Sequence, residues 1–286
     1  MRSTEHSLVS PFPASDERLS PLVRRLTCPN PGKMTGPGTN TYLIGEREVT
    51  VVDPGPAMHP AHWDRLVIAA GGSSNITRIV CTHTHPDHSP GVAGLKKLVP
   101  HAEVMAFDAR DGLTIDTPLA GGALMANSEY SIDVVHTPGH ASNHLCFLLR
   151  DESLLFSGDH VMEGSTVVIG PPDGDMAEYL VSLDKVQALG VAAIAPAHGR
   201  IIENPHDYVQ TYITHRLERE AQILECVRSG RATTIPKIVA VLYALVRKEL
   251  HPVAARSVEA HLVKLANEGH VVPGSDATWL PAEHAH

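Results

Sequence analysis

Three imidazoles and a carboxylate fall within six residues, His83, His85, Asp87 and His88 in the run Thr82-His83-Thr84-His85-Pro86-Asp87-His88. All four are ligands for a borderline metal such as zinc, and an ordinary surface loop rarely packs them so densely. The apolar run at 76–81 just before them reads as a buried strand, and Ser89-Pro90-Gly91 just after reads as a turn or helix start. The cluster therefore sits at a strand's end, where open α/β sheets place their sites. A chain with 19 histidines can also hold a merely histidine-rich loop. The rest of the sequence decides between the two.

Three further segments repeat the arrangement. His136-Thr137-Pro138-Gly139-His140 follows an alternating strand at 130–135. Ser157-Gly158-Asp159 ends an apolar strand at 154–156, and Pro196-Ala197-His198-Gly199 ends another at 191–195. Each puts a ligand type just beyond a strand, so distant stretches can converge on one rim. Singly such motifs are turns; in this order behind the first cluster they form a pattern.

With these motifs in order, the chain from about Leu26 to Gly199 resembles the metallo-β-lactamase superfamily. The resemblance implies an α/β fold, an αββα sandwich with two divalent metal ions in a cleft at the sheet edges. It implies that His83, His85 and His140 hold the first metal, that Asp87, His88 and His198 hold the second, and that Asp159 bridges both. The set lacks the Cys ligand of one lactamase class and is similar to the all-His/Asp form of hydrolases such as glyoxalase II. Zinc is the first expectation for the metals, with iron and manganese also suited to these ligands. A water bridging two such ions loses a proton near neutral pH, so the expected chemistry is hydrolysis by a metal-bridging hydroxide.

Other residues have expected roles around that centre. Asp87, Asn40 and His160 are the catalytic candidates. Asn40, in Gly38-Thr39-Asn40-Thr41, is a candidate donor to the oxygen that gains charge. His160 follows Asp159 and is a candidate proton donor, against the plainer reading that it only packs. His136 and His144 flank His140 and are expected to orient ligands or to pack.

Near residue 204 the character changes from short, Gly- and Pro-punctuated strands to helical periodicity. The spacing predicts helices over 207–229, from Thr234-Ile235-Pro236 through Val246, and over 253–266, followed by a short hairpin. The division expected is an N-terminal extension over 1–25, a catalytic domain over 26–204, a winged-helix-like domain over 205–275 and a disordered tail over 276–286. Cys28-Pro29-Asn30-Pro31-Gly32-Lys33-Met34, Gly38-Thr39-Asn40-Thr41-Tyr42-Leu43, Glu163-Gly164-Ser165-Thr166-Val167 and the stretch Tyr212-Ile213-Thr214-His215-Arg216 are similar to the β-lactamase-like protein 2 subfamily. That resemblance implies an endoribonuclease acting on single-stranded RNA.

Charge pulls the other way. The net charge is −9; residues 1–204 hold 14 Lys/Arg against 23 Asp/Glu, and residues 205–286 hold nine of each. Phosphate contacts dominate nucleic-acid affinity, so an RNA enzyme normally shows a basic face. Arg216, Arg219, Arg247, Lys248 and Arg256 are the residues that could form one. With aromatics at 4%, base-stacking platforms are scarce. Hydrolysis of a glyoxalase II-like thioester, or another small acyl, lactone or β-lactam substrate, is therefore the alternative, and a non-catalytic nucleic-acid-binding regulator is a third. The sequence holds no membrane-length apolar run and no secretory signal, and its four cysteines form no CxxC pair, so a cytoplasmic enzyme is expected, with a homodimer as the superfamily's common form.

Overall fold

The computed structural model describes residues 16–164 and 166–282. Seven strands form the first sheet in chain order: β1 (Asp16–Arg18), β2 (Val23–Thr27), β3 (Asn40–Ile44), β4 (Val49–Val52), β5 (Ile76–Val80), β6 (Glu103–Ala106) and β7 (Thr117–Pro118). The second sheet takes β8 (Leu124–Ala126), β9 (Ser131–His136), β10 (Leu145–Leu149), β11 (Leu154–Gly158) and β12 (Ala193–Pro196), in the spatial order β12-β11-β10-β9-β8. Strands β4 to β7 run parallel, as do β11 and β12.

Side-chain alternation builds the layers. Successive residues of a strand face opposite sides. Tyr42, Ile44, Val52 and Val80 of the first sheet meet Val134, Leu145, Phe147 and Phe156 of the second in one core between the sheets. The intervening Leu43, Val51 and Ile79 face outward, onto Leu66 of helix α1 (Pro60–Ala69) and Leu95 of helix α2 (Val92–Leu98). Cys146, Leu155 and Ile194 pack outward on Tyr179, Leu183 and Val186 of helix α3 (Met176–Ala188) and on Val209 of helix α4 (Pro205–Arg228). The result is helices, sheet, sheet, helices. Phe147 is fully buried at the centre, so Phe147→Ala should cost about 3–5 kcal/mol of stability, read by denaturant unfolding.

Beyond α4, helices α5 (Ile235–Leu242) and α6 (His251–Asn267) and the hairpin of β13 (Val271–Pro273) and β14 (Trp279–Pro281) enclose a small core of Ile223, Val227, Ile238, Val258, Leu262 and Val271. The second helix stops four residues short of the expected Val246. Beyond Leu242 the chain turns, and there the His251 ring N–H lies within reach of the carbonyls of Tyr243 (3.2 Å) and Val246 (3.1 Å).

Both chain ends differ from expectation. Residues 16–18 and 23–25, expected in an extension, lie in strands of the first sheet, because Val23 is an apolar residue with a buried place in the central core. Trp279–Pro281, expected in a disordered tail, pairs antiparallel with Val271–Pro273. Residues 1–15 and 283–286, with His284 and His286, lie outside the described residues. No helix among the described residues is long and apolar enough to cross a membrane.

Candidate metal centre

The strand ends converge as the motif pattern requires. The turn after β5 carries His83, His85, Asp87 and His88; the β9–β10 connection carries His140; Asp159 follows β11 and His198 follows β12. Strands β4 and β5 are parallel, as are β11 and β12, so within each sheet these strands end on one edge. Contacts of Asp159 and His198 with His88 and Asp87 bring the two edges together.

On one side of the rim three ring nitrogens crowd together. His83 Nε2 and His140 Nε2 each lie 2.9 Å from His85 Nδ1. On the other side His198 Nε2 lies 3.2 Å and His88 Nε2 3.5 Å from Asp87 Oδ2. Asp159 stands between them: Oδ1 is 3.3 Å from His198 Nε2 and 3.5 Å from His88 Nε2, while Oδ2 is 3.7 Å from His140 Nε2. The seven side chains named from the sequence thus meet at one place, with each oxygen of Asp159 turned to a different half.

The far side of each of three rings is held by an acceptor. His88 Nδ1 lies 2.9 Å from Asp53 Oδ2, His140 Nδ1 2.7 Å from the Val168 carbonyl, and His198 Nδ1 3.1 Å from the Gly38 carbonyl. A ring nitrogen facing an acceptor carries the proton, which leaves the Nε2 lone pairs of these three histidines directed at the centre. Thr39 Oγ1 donates to Asp87 Oδ2 at 3.3 Å, and the Asp159 backbone N–H donates to His144 Nε2 at 3.2 Å. His144 therefore holds the backbone from which the central carboxylate projects. His136 instead stacks on Phe107 and bonds the Ser142 carbonyl.

Asp53 has no counterpart in the sequence reading. It is 1% exposed and accepts from the Thr82 N–H and the Thr82 hydroxyl, both at 2.8 Å, besides facing His88. Its signal was the one used for the others, a carboxylate directly after an apolar strand, Val49–Val52.

Two expected catalytic groups are not available to a substrate. Asn40 is 3% exposed; its amide donates to the Pro196 and Gly199 carbonyls, each at 3.0 Å, and its oxygen accepts from Thr27 Oγ1. With both N–H groups used to tie β3 to the His198 loop, it cannot serve an oxyanion. His160 is fully buried against Tyr179, with ring centroids 5.2 Å apart, and burial lowers its pKa to about 3. A neutral ring enclosed in this way delivers no proton to the cleft. Asp87 remains on the open side of the cluster, its side chain 25% exposed.

The electrostatics call for positive charge at the centre. Burial opposes a charge on His88, yet Asp87, Asp159 and Asp53 together hold its pKa well above the ordinary value. Burial would also raise Asp159, but His198 and His88 keep it well below the carboxylate range. His88 Nε2 and Asp159 Oδ1 are nonetheless buried with no hydrogen-bond partner. Leaving such atoms unpaired costs about 1–3 kcal/mol each, more when charged. A divalent cation satisfies both, and three ligand groups, His83–His85–His140, His83–His88–Asp159 and Asp87–His88–His198, each keep their ligand atoms within 4.8 Å. The donor set fits.

Comparison with known proteins adds to this geometry. Residues 34–106 and 113–198 match the model of the Metallo-beta-lactamase superfamily, and residues 234–279 match the Beta-lactamase associated winged helix domain. The chain is 34% identical over 274 residues to a Beta-lactamase-like protein 2 homolog of Drosophila melanogaster, covering 90% of this chain and 92% of that one. It is 35% identical over 212 residues to an Atrochrysone carboxyl ACP thioesterase of Aspergillus fumigatus, covering 72% of this chain and 65% of the relative's length. A metallo-beta-lactamase family protein from Thermus thermophilus superposes with a TM-score of 0.78 at 20% identity, over 92% of this chain and all of that one.

Proposed function

The chain belongs to the metallo-beta-lactamase superfamily, and from that premise we propose that it is a metal-dependent hydrolase whose substrates are acyl thioesters. The observation that carries the hydrolase reading is the convergence of five histidines and two aspartates with Asp159 turned to both halves. His83, His85 and His140 would hold one divalent cation and Asp87, His88 and His198 a second, with Asp159 shared. Zinc suits this set first, and iron and manganese are acceptable. When bound, such a pair supplies an acidified water and an electrophile for the scissile oxygen.

The protein's own part is orientation. Asp53, the Gly38 carbonyl and the Val168 carbonyl fix three ring tautomers, Thr39 holds Asp87, and His144 holds Asp159. Substrate reaches the cluster from its partly exposed side, over His85 and Asp87, because His83 and His88 are sealed beneath. The four buried free cysteines suit a reducing, cytoplasmic setting.

The thioester assignment draws on the Aspergillus fumigatus relative, whose name states that activity, and on charge. A net charge of −9 does not hinder a small substrate but opposes a polyphosphate chain. Of the basic residues expected to face RNA, Arg216 is only 3% exposed and so lies off the surface. Single-stranded RNA cleavage stands as the second reading, favoured by similarity to the Drosophila melanogaster relative over nearly its whole length. A paired assay separates them, using an N-acetylcysteamine thioester and a fluorogenic single-stranded RNA with Asp87→Ala as control. Thioester turnover lost in the mutant is the expected result. RNA cleavage without thioester turnover would reverse the order.

Cation uptake should release protons. Burial keeps His85 neutral, with a pKa of about 4, whereas His88 is raised well above the ordinary value without a cation. Burial opposes a charge on His198 too, yet Asp159 and Asp87 raise its pKa as well. Groups with raised pKa values hold their protons up to those values, so cation uptake must expel protons and must weaken as the pH falls. Calorimetry in buffers of differing ionisation enthalpy reads the number directly.

A further inference from the structure

A cavity of about 350 Å³ lies between the stretch 166–168 and the C-terminal helices, beside the metal centre but distinct from it. Val168, in its wall, offers the carbonyl that holds His140, and the neighbouring Val167 carbonyl accepts from Arg216. Met34, four residues before Gly38, whose carbonyl holds His198, closes another side. A molecule filling the cavity thus lies against two of the chain segments that position the cluster.

Its lining is apolar with a cationic corner. Val246, Leu250 and Val253 give the apolar wall; His215, Arg216 and Arg219 of α4 give the other. Among the described residues no carboxylate lines it. Arg216 Nε, Arg219 Nε and His215 Nδ1 are all buried without a hydrogen-bond partner, and Arg216 is 3% exposed. The two guanidinium groups are held over aromatic faces, Arg216 over Tyr179 at 5.4 Å and Arg219 over Tyr243 at 4.4 Å. Burial first, and then these two arginines, depress the pKa of His215. The three unpartnered nitrogens are closed off from the cavity, but the two guanidinium groups line it and bring it positive charge with no carboxylate opposite, which an anion answers.

We propose that this cavity is the site that selects the substrate, receiving a carboxylate or phosphate group on an apolar body, with Arg219, Arg216 and His215 as its donors. The volume is that of a small-molecule pocket, not of a strand-tracking groove. The proposal rests on the hydrolase reading only in calling the bound molecule a substrate; the binding itself is tested without turnover.

The experiment is calorimetric titration of the full chain, metal-loaded in wild type and the Arg219 variants and cation-free in Asp159→Ala, with 4-phenylbutyrate, with phenyl phosphate and with neutral 4-phenylbutanol. Wild type and Asp159→Ala should bind at least one of the anions alike, Arg219→Gln should bind it at least about tenfold more weakly, and Arg219→Lys should recover part of the loss. The alcohol should bind more weakly than the anion and be insensitive to the Arg219 changes. Whichever anion binds more tightly assigns carboxylate or phosphate. Binding that disappears in Asp159→Ala would place the anion at the metal centre and overturn the proposal. So would binding unchanged in a folded Arg219→Gln, or none to either anion. Failure of the hydrolase reading shows separately, as absent turnover in a wild type that still binds.

Discussion

Replacing Asp159 by alanine should deprive the protein of both cations and lower turnover by about 10³-fold or more, a loss of at least about 4 kcal/mol of transition-state stabilisation. The expectation follows from position. Asp87 and His198 each face one half of the centre, but Asp159 turns one oxygen to His88 and His198 and the other to His140. Its removal takes a negative charge from both halves, while the backbone N–H that donates to His144 stays in place. The folded state should persist, because the side chain lies at the rim and not in the core between the sheets. Metal analysis beside a circular dichroism melt distinguishes loss of cations from loss of structure. His198→Ala is the comparison: it should lose mainly one cation equivalent.

The second large effect belongs to a residue that touches no substrate. Asp53→Ala leaves two buried donors, the Thr82 N–H and His88 Nδ1, without an acceptor, and takes from the Thr82 hydroxyl its carboxylate partner, leaving it only His83 Nδ1 at 3.0 Å. At about 1–3 kcal/mol for each unsatisfied group, stability should fall by several kcal/mol. The His88 ring also loses the acceptor that fixes its tautomer, so cation affinity should drop about 10- to 100-fold beyond any effect on folding. Asp53→Asn retains an oxygen for one donor and should fall between alanine and wild type in both measurements. Equal cation affinity in Asp53→Ala and wild type would remove Asp53 from the set of positioning residues.

How much of this was legible in the sequence depends on distance along the chain. His83, His85, Asp87 and His88 lie on one turn, and the strand before them was plain from its apolar run, so the cluster could be read locally. His140, Asp159 and His198 were legible because each closes an alternating or apolar strand, although only the superfamily resemblance assigned them to metals. Asp53 obeyed the same rule and was missed, since its partner His88 lies 35 residues on and nothing local marks the pairing. Asn40 was misread for the same reason. Its partners Pro196 and Gly199 lie more than 150 residues away, and only the folded chain shows that they use both its N–H groups.

At the C-terminal end, periodicity located the helices but not the fate of their charges. A spacing of three or four residues places Arg216 and Arg219 on a common helix face. It cannot show that this face turns inward, over Tyr179 and toward the stretch after Asp159. The short strand at Trp279–Pro281 lay hidden because three residues carry too little pattern to outweigh a polar tail.

The most direct test of the central claim is a titration of metal-free protein with Zn²⁺ while hydrolysis of an acyl thioester is followed. Activity should be absent at the start, rise with added cation, level off at about two equivalents and never appear in Asp159→Ala. Turnover already complete in the metal-free protein, or unaffected by the loss of Asp159, would contradict a hydrolase built on this centre.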